Sequence, residues 1–264
     1  PPAGGLRSRS RSRDRAPCCR WPVTGKGDRV TLPFDTLAQC IRRHASAHAH
    51  QAALVQGAQV LDYAALDALM DRVAVGLQRD GLGPGDTVAI CATMSIPYAV
   101  LFLGALRAGV AVAPLAPGAG AQSLHRMVRD AQARRLFVDA GGEAAFGPDG
   151  GDGAPPRLPI PDDVHALPAA LQQWLGAAGQ APCPADVTPQ TAFNIIYSSG
   201  TTGEPKGIVQ SHGMRWTHVL RGSAYGYGPG TATIVSTPLY SNTTLVVFCP
   251  TLALGGTAVL MPKF

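Results

Sequence analysis

The 264-residue chain is 46% hydrophobic and only 15% charged, with 31 Gly and 23 Pro. That composition supports a loop-rich α/β body with a sizeable core and excludes a coiled coil or a wholly disordered chain. The net charge of +5 lies in the first 30 residues, where eight Lys/Arg face two Asp; the rest carries 14 Lys/Arg against 15 Asp/Glu, which argues against a phosphate-backbone binding face.

Residues 1–29 have no hydrophobic periodicity. The run from Ser8 to Arg15, SRSRSRDR, is similar to the arginine-serine tracts of RNA-processing proteins, but it reads as a solvated tail or as upstream sequence, since no Met opens the chain. A disordered basic arm is expected over residues 1–30, followed by a body over 31–264, with nucleic-acid binding through the arm as the outside alternative. Phe34 to Ala47 reads as a helix. Ala52–Val55 and Gln59–Leu61 read as a strand pair around Gln56-Gly57. Tyr63 to Gln78 carries Leu66, Leu69, Val73 and Leu77 at helical spacing, and Thr87 to Cys91 is a buried strand. Ser95 caps the next helix, which Gly109 ends. Val110–Pro114 and Arg135–Val138 are strands on either side of a helix over Gln122–Ala133. Alternating strands and helices predict βαβ units and parallel-sheet layers flanked by helices.

Gly141 to Pro189 is rich in Gly, Pro, Asp and Ala and predicts a long surface loop with one short helix, Leu167–Ala177. Strand Ala192–Tyr197 then runs into SSGTTGEPKG, Ser198 to Gly207, with a helix from about His212.

Several residues invite chemistry and carry none. The six cysteines form no CxxC pair and no zinc-type cluster with histidine. Cys91 and Cys249 sit in apolar runs and read as small buried hydrophobes, which fits a reduced, cytoplasmic compartment. His44 and His48 share a helix spacing but lack the carboxylate of a metal motif. His212 reads as a helix-orienting residue, and Trp216, Tyr225 and Tyr227 as packing residues. Tyr98 to Pro117, the most apolar stretch, is broken by Arg107, Gly109 and Pro114 and is not a membrane span. No metal site is predicted.

The segment Ser198–Gly207 holds four hydroxyls, three glycines and one lysine in ten residues. Glycines let a backbone approach a ligand closely, and successive amides in such a turn form an anion nest. The hydroxyls of Ser198, Ser199, Thr201 and Thr202 add donors, Gly200 and Gly203 add freedom, and Lys206 adds a mobile charge, a set suited to polyphosphate. The spacing is neither GxxxxGK[ST] nor GxGxxG.

YSSGTTGEPKG, Tyr197 to Gly207, resembles the signature phosphate loop of the adenylate-forming superfamily, which includes acyl-CoA synthetases, luciferases and the adenylation domains of peptide synthetases. Leu61–Leu77, Gly104–Pro117 and Thr237–Phe264 resemble further family segments in the family's order, and PLYSNT and LGGTAVLMPKF lean towards acyl-CoA synthetases. Ser241 follows Pro238-Leu239-Tyr240 where many relatives have histidine, so that histidine's role is not carried over.

The resemblance implies an α/β body corresponding to the amino-terminal part of the family's large domain. It implies that a carboxylic acid is activated with ATP and Mg²⁺ to an acyl-adenylate, then passed to CoA. Ser198, Ser199, Gly200, Thr201, Thr202, Gly203 and Lys206 would hold the nucleotide, with Lys206 and Thr201 acting in catalysis. Tyr240, Ser241, Asn242 and Thr243 would border the acid. No counterpart of the family's later segments follows Phe264. The expectation is therefore an incomplete chain unable to finish the reaction alone; the alternative is a non-catalytic remnant with a partial nucleotide site.

Overall fold

Polar side chains set the start of five helices by accepting a backbone N–H that the first turn leaves unpaired. Thr36 Oγ1 accepts from Gln39 N at 3.1 Å and opens α1, Leu37–Ala47. The predicted start at Phe34 is therefore three residues early. A tight hairpin, β1 (Ala52–Gln56) and β2 (Gln59–Asp62), leads to Asp62, which caps α2, Tyr63–Arg79. After β3 (Thr87–Cys91), Ser95 caps α3, Ile96–Arg107. Strand β4 (Ala111–Leu115) is followed by a short 3-10 turn, α4 (Ala121–Asp130) and β5 (Ala133–Val138). Asp139 then caps α5, Ala140–Phe146. Strand β6 (Arg157–Pro159), α6 (Ala169–Trp174), β7 (Ala192–Ser198) and β8 (Lys206–Ser211) follow. Ser211 caps α7, His212–Ala224, and β9 (Ala232–Val235), α8 (Asn242–Ala253) and β10 (Thr257–Leu260) complete the order. The computed structural model describes residues 33–147, 154–165, 169–198 and 205–261. The basic arm predicted over residues 1–30 lies outside the described residues, as do Ser199, Gly200, Thr201, Thr202 and Gly203.

The strands form two sheets: four strands in the order β2-β1-β10-β9, and six in the order β6-β5-β3-β4-β7-β8. Pairing is parallel except in the hairpins β1–β2 and β7–β8. Mixed α/β architecture with helix-flanked parallel sheet is what the strand–helix alternation predicted.

Helix α3 is buried along all twelve residues, the signature of an element enclosed on every side. Its approach to α2 depends on Gly104, where an added Cβ would lie 2.5 Å from Val73 Cβ. Phe102 meets Phe193 of β7 at 5.9 Å between ring centroids, so α3 packs directly under the strand that carries the signature loop. Each such fully buried aromatic contributes roughly 1.5–3 kcal/mol through apolar burial. On the other face of the six-stranded sheet, Leu124, Met127 and Val128 of α4 pack on Cys91, Leu115 and Val138, with Ile195 and Tyr197 of β7 at the margin.

Two predicted elements shift. The helix drawn to Ala133 stops at Asp130, because Gln132 takes a left-handed φ of 49° and Ala133 already starts β5. The long loop predicted over 141–189 contains α5 and the edge strand β6, which pairs with β5 from Leu136↔Arg157 to Val138↔Pro159. Pro159 is tolerated there because the edge has no outer neighbour requiring its N–H. Cys91 and Cys249 are buried as predicted, and burial pushes their thiols up to about 12 and about 11. No described helix is long and apolar enough to cross a membrane.

Candidate functional site

The six-stranded sheet reverses its winding between β4 and β7. The chain leaves the carboxyl end of β4 towards β5 on one side, and leaves β7 towards β8 on the other. Open α/β sheets bind ligands in the crevice beyond such neighbouring strand ends. A sequence-local feature widens this crevice. Pro114 has no N–H to donate, and among the described residues β4 pairs with β7 only at Val112↔Asn194. Beyond that point the strands are free to part.

A cavity of ≈ 200 Å³ occupies the gap, lined by Pro114, Leu115, Met127, Tyr197, Ser198 and Tyr240 among others. The structure thus brings together Ser198, from the signature, and Tyr240, from the segment assigned to the acid. Ser198 ends β7 exposed and pairs with Lys206, the exposed first residue of β8, at the end of the antiparallel β7–β8 hairpin. Tyr197 anchors that hairpin to α4, where its hydroxyl donates to Asp130 Oδ2 at 2.7 Å and lies 2.9 Å from Met127 O. Burial, and then the Asp130 carboxylate, push the Tyr197 phenol above its usual range.

Ser241 stands at the N-cap of α8 but makes no side-chain cap bond; its hydroxyl meets Thr243 Oγ1 at 2.7 Å instead. Asn242 and Thr243 are exposed at the helix start. Behind them lies a cluster that sequence reasoning missed. Arg215 of α7 is 3% exposed and donates to Asn194 Oδ1 at 3.1 and 3.0 Å, to Asn242 Oδ1 at 2.9 Å and to Gln210 Oε1. Its guanidinium also lies over the Phe193 ring, 5.7 Å from the centroid. Among the described residues no carboxylate pairs with it, and burial lowers its pKa from the usual arginine value. The one sequence signal was Asn194, a polar residue in an otherwise apolar strand, where a buried amide demands partners.

His212, predicted to orient the helix, is the first residue of α7 and packs edge-on against Phe193 at 5.0 Å. Burial lowers its pKa to about 4, so it is neutral at pH 7. His44 donates from Nε2 to Ala253 O at 2.9 Å and is a buried structural residue. Among the described residues no group of three His, Cys, Asp or Glu side chains gathers with metal-ligand geometry.

Residues 41–264 match the AMP-binding enzyme family. The chain is 32% identical over 189 residues to the fatty acid–[acyl-carrier-protein] ligase ScoC of Streptomyces coeruleorubidus, covering 70% of this chain and 35% of that one. It is 31% identical over 210 residues to the phosphinothricin tripeptide synthetase PhsB of Streptomyces viridochromogenes, covering 76% of this chain and 16% of that one. A Mycobacterium tuberculosis fatty acyl CoA synthetase superposes with a TM-score of 0.75 at 20% identity, covering 87% of this chain and 45% of that one. The chain therefore spans less than half the length of these relatives. The family match and the helix-flanked parallel sheets agree: this chain belongs to the AMP-binding enzyme family.

Proposed function

We propose that the chain serves ATP-dependent activation of a carboxylic acid to an acyl-adenylate, followed by transfer of the acyl group to the thiol of CoA. The observation that supports this reading is that the ends of the Tyr197–Gly207 signature, Ser198 and Lys206, pair across β7 and β8 at the reversal of the sheet, with Ser198 lining one cavity together with Tyr240. The acid's carboxylate oxygen attacks the α-phosphorus, and pyrophosphate leaves. The thiol sulfur then attacks the acyl carbonyl carbon, gives up its proton, and AMP leaves. The protein's share in the first step is positioning and charge neutralisation. Ser198, Ser199, Gly200, Thr201, Thr202 and Gly203 hold the β- and γ-phosphates by hydroxyl and backbone N–H, while Lys206 and Thr201 act on the charge that develops. Tyr240, Ser241, Asn242 and Thr243 border the acid. Mg²⁺, a hard cation that prefers phosphate oxygens, arrives with the nucleotide, and the hydroxyls of the signature are suited to it.

The relatives favour two thiol acceptors, since a carrier-protein ligase and a peptide synthetase stand beside a CoA synthetase. CoA is preferred here on the wording of Thr237–Phe264. Acid-dependent exchange of pyrophosphate into ATP tests the first half-reaction, and parallel assays with CoA and with a phosphopantetheinylated carrier protein separate the acceptors. Lys206→Ala is expected to slow exchange roughly ten- to a hundredfold, the value of a lost charged hydrogen bond. An unchanged rate would remove Lys206 from the chemistry. Exchange absent with every acid would sink the activation reading.

A further inference from the structure

Strand β7 carries a bulge just before the signature. Ala192 opposes Ser211 while Asn194 opposes Gln210, leaving Phe193 as the extra residue. Bulges re-aim side chains and concentrate beside functional sites. This one presents both Phe193 and Asn194 to α7, where Arg215 covers the first and bonds the second. The same guanidinium reaches Gln210 on β8 and Asn242 at the start of α8. Gln210 Nε2 also donates to Asn242 Oδ1 at 3.2 Å, closing a ring of three side chains. Helix α8 has no cap bond from Ser241; its first turn is held locally by Thr244 Oγ1, which donates to Pro238 O at 2.7 Å, and at long range by this bridge to Asn242.

We infer that Arg215 is a positioning residue that locks the signature hairpin and the first turn of α8 into one unit, so that order in one segment requires order in the other. Given the proposed function, the unit spans the phosphate-holding and acid-facing segments, and nucleotide binding prepares the acid site. The planar fork is essential, because it serves three oxygens from three elements at once.

Two mild variants cut the bridge at opposite ends: Gln210→Leu at the hairpin and Asn242→Ala at α8. Hydrogen exchange read by mass spectrometry is expected to quicken roughly tenfold in both 206–211 and 244–249 for either variant, as for loss of one charged hydrogen bond, with 96–107 unchanged. Arg215→Lys, which keeps the charge and loses the fork, is expected to loosen both segments as well. ATP titration adds a second reading: Asn242→Ala, remote from the signature in sequence, is expected to weaken ATP binding several-fold. Exchange confined to the mutated element, wild-type exchange in Arg215→Lys, or unchanged ATP affinity in Asn242→Ala would overturn the coupling. A wild-type chain that binds no ATP would count against the proposed function instead, and the exchange experiment would still decide the coupling.

Discussion

Two buried arginines, one on the α1–α2–α3 flank and one on the β7–α7–α8 flank, solve desolvation differently. Arg107, in the last turn of α3, has a side chain 6% exposed and is matched by two carboxylates, Asp67 and Asp71 of α2, with Ala38 O as a further acceptor at 3.0 Å. Arg42 of α1 shares both aspartates. Arg215 is equally buried, but its oxygens come from the neutral amides of Asn194, Gln210 and Asn242. A guanidinium matched by carboxylates braces three helices and leaves little field beyond them. One matched by amides keeps its charge in a medium that screens poorly, and therefore projects positive potential. The proposed reaction brings a triphosphate and a carboxylate to that second flank, where such potential has something to attract. Protein charge is thus closed off by carboxylates among α1, α2 and α3, and matched only by neutral amides beneath β7, β8 and α8.

The comparison breaks most directly at Arg107. Arg107→Met strands Asp67 and Asp71 with only the half-exposed Arg42 to offset them. Uncompensated buried charge typically costs ~3–5 kcal/mol, and the remaining Arg42 pairing with the partial exposure of both carboxylates brings the expected loss to the lower end, about 3 kcal/mol, which urea unfolding should register. Arg215→Met removes the charge itself and leaves only neutral amide oxygens unsatisfied, a loss of ~1–3 kcal/mol. Equal losses for the two would mean that the carboxylates do not distinguish them. A larger effect of Arg107→Met on ATP affinity than of Arg215→Met would reverse the assignment of roles.

The next largest effect is a pH dependence centred on His212. His212 is 3% exposed, and burial lowers its pKa to about 4 from an ordinary 6.5. Between those values the unfolded chain binds a proton that the folded chain refuses. The contribution to stability is complete above pH 6.5 and is lost as pH falls towards 4, amounting to about 3 kcal/mol for this group. His44 is shifted in the same direction by burial and adds to the same limb. His212→Phe should flatten urea-measured stability between pH 6.5 and 4 relative to wild type, with the residual slope reporting His44 and the carboxylates. A parallel slope in the variant would show that His212 titrates normally.

Much of this arrangement was legible in the sequence, and what was missed has a common cause. Thr87–Cys91 was found to the residue because five consecutive core positions leave a strong local signal. The strand that runs into the signature, read as Ala192–Tyr197, is observed as Ala192–Ser198, and the helix expected from about His212 starts there, because an apolar run and a capping serine mark both ends locally. Helix α5 and strand β6 escaped because Gly141, Gly142 and Pro159 speak against regular structure locally. They are held instead by distant partners: Gly142 lies so close to Cys91 O that an added Cβ would stand 1.9 Å from it, and Arg157 covers the Phe146 ring. The Arg215 cluster, with Asn194, Gln210 and Asn242, was invisible for the same reason. Its members come from four elements, and no periodicity records that a bulge will turn Asn194 towards α7.

The smallest effect sharpens what the hairpin needs apart from Arg215. Tyr197 ties the opposite face of β7 to α4, and its ring closes over Gly207, where an added Cβ would sit 3.1 Å from Tyr197 Cε1 and 3.0 Å from Asp130 Oδ2. Tyr197→Phe keeps the ring and removes the hydroxyl shared between the exposed Asp130 and Met127 O. A bond to a charged group is worth ~1.5–3 kcal/mol when enclosed, and exposure of Asp130 to water reduces that to about 1 kcal/mol here. Since one hairpin face is still held by Asn194 and Gln210, the loss should be local: faster exchange at 206–211, wild-type exchange at 244–249, and a two- to fivefold weaker ATP affinity, the equivalent of about 1 kcal/mol or less. Loosening of α8 in Tyr197→Phe would mean that disorder reaches it from either face of the hairpin, and the route through Arg215 would lose its special standing.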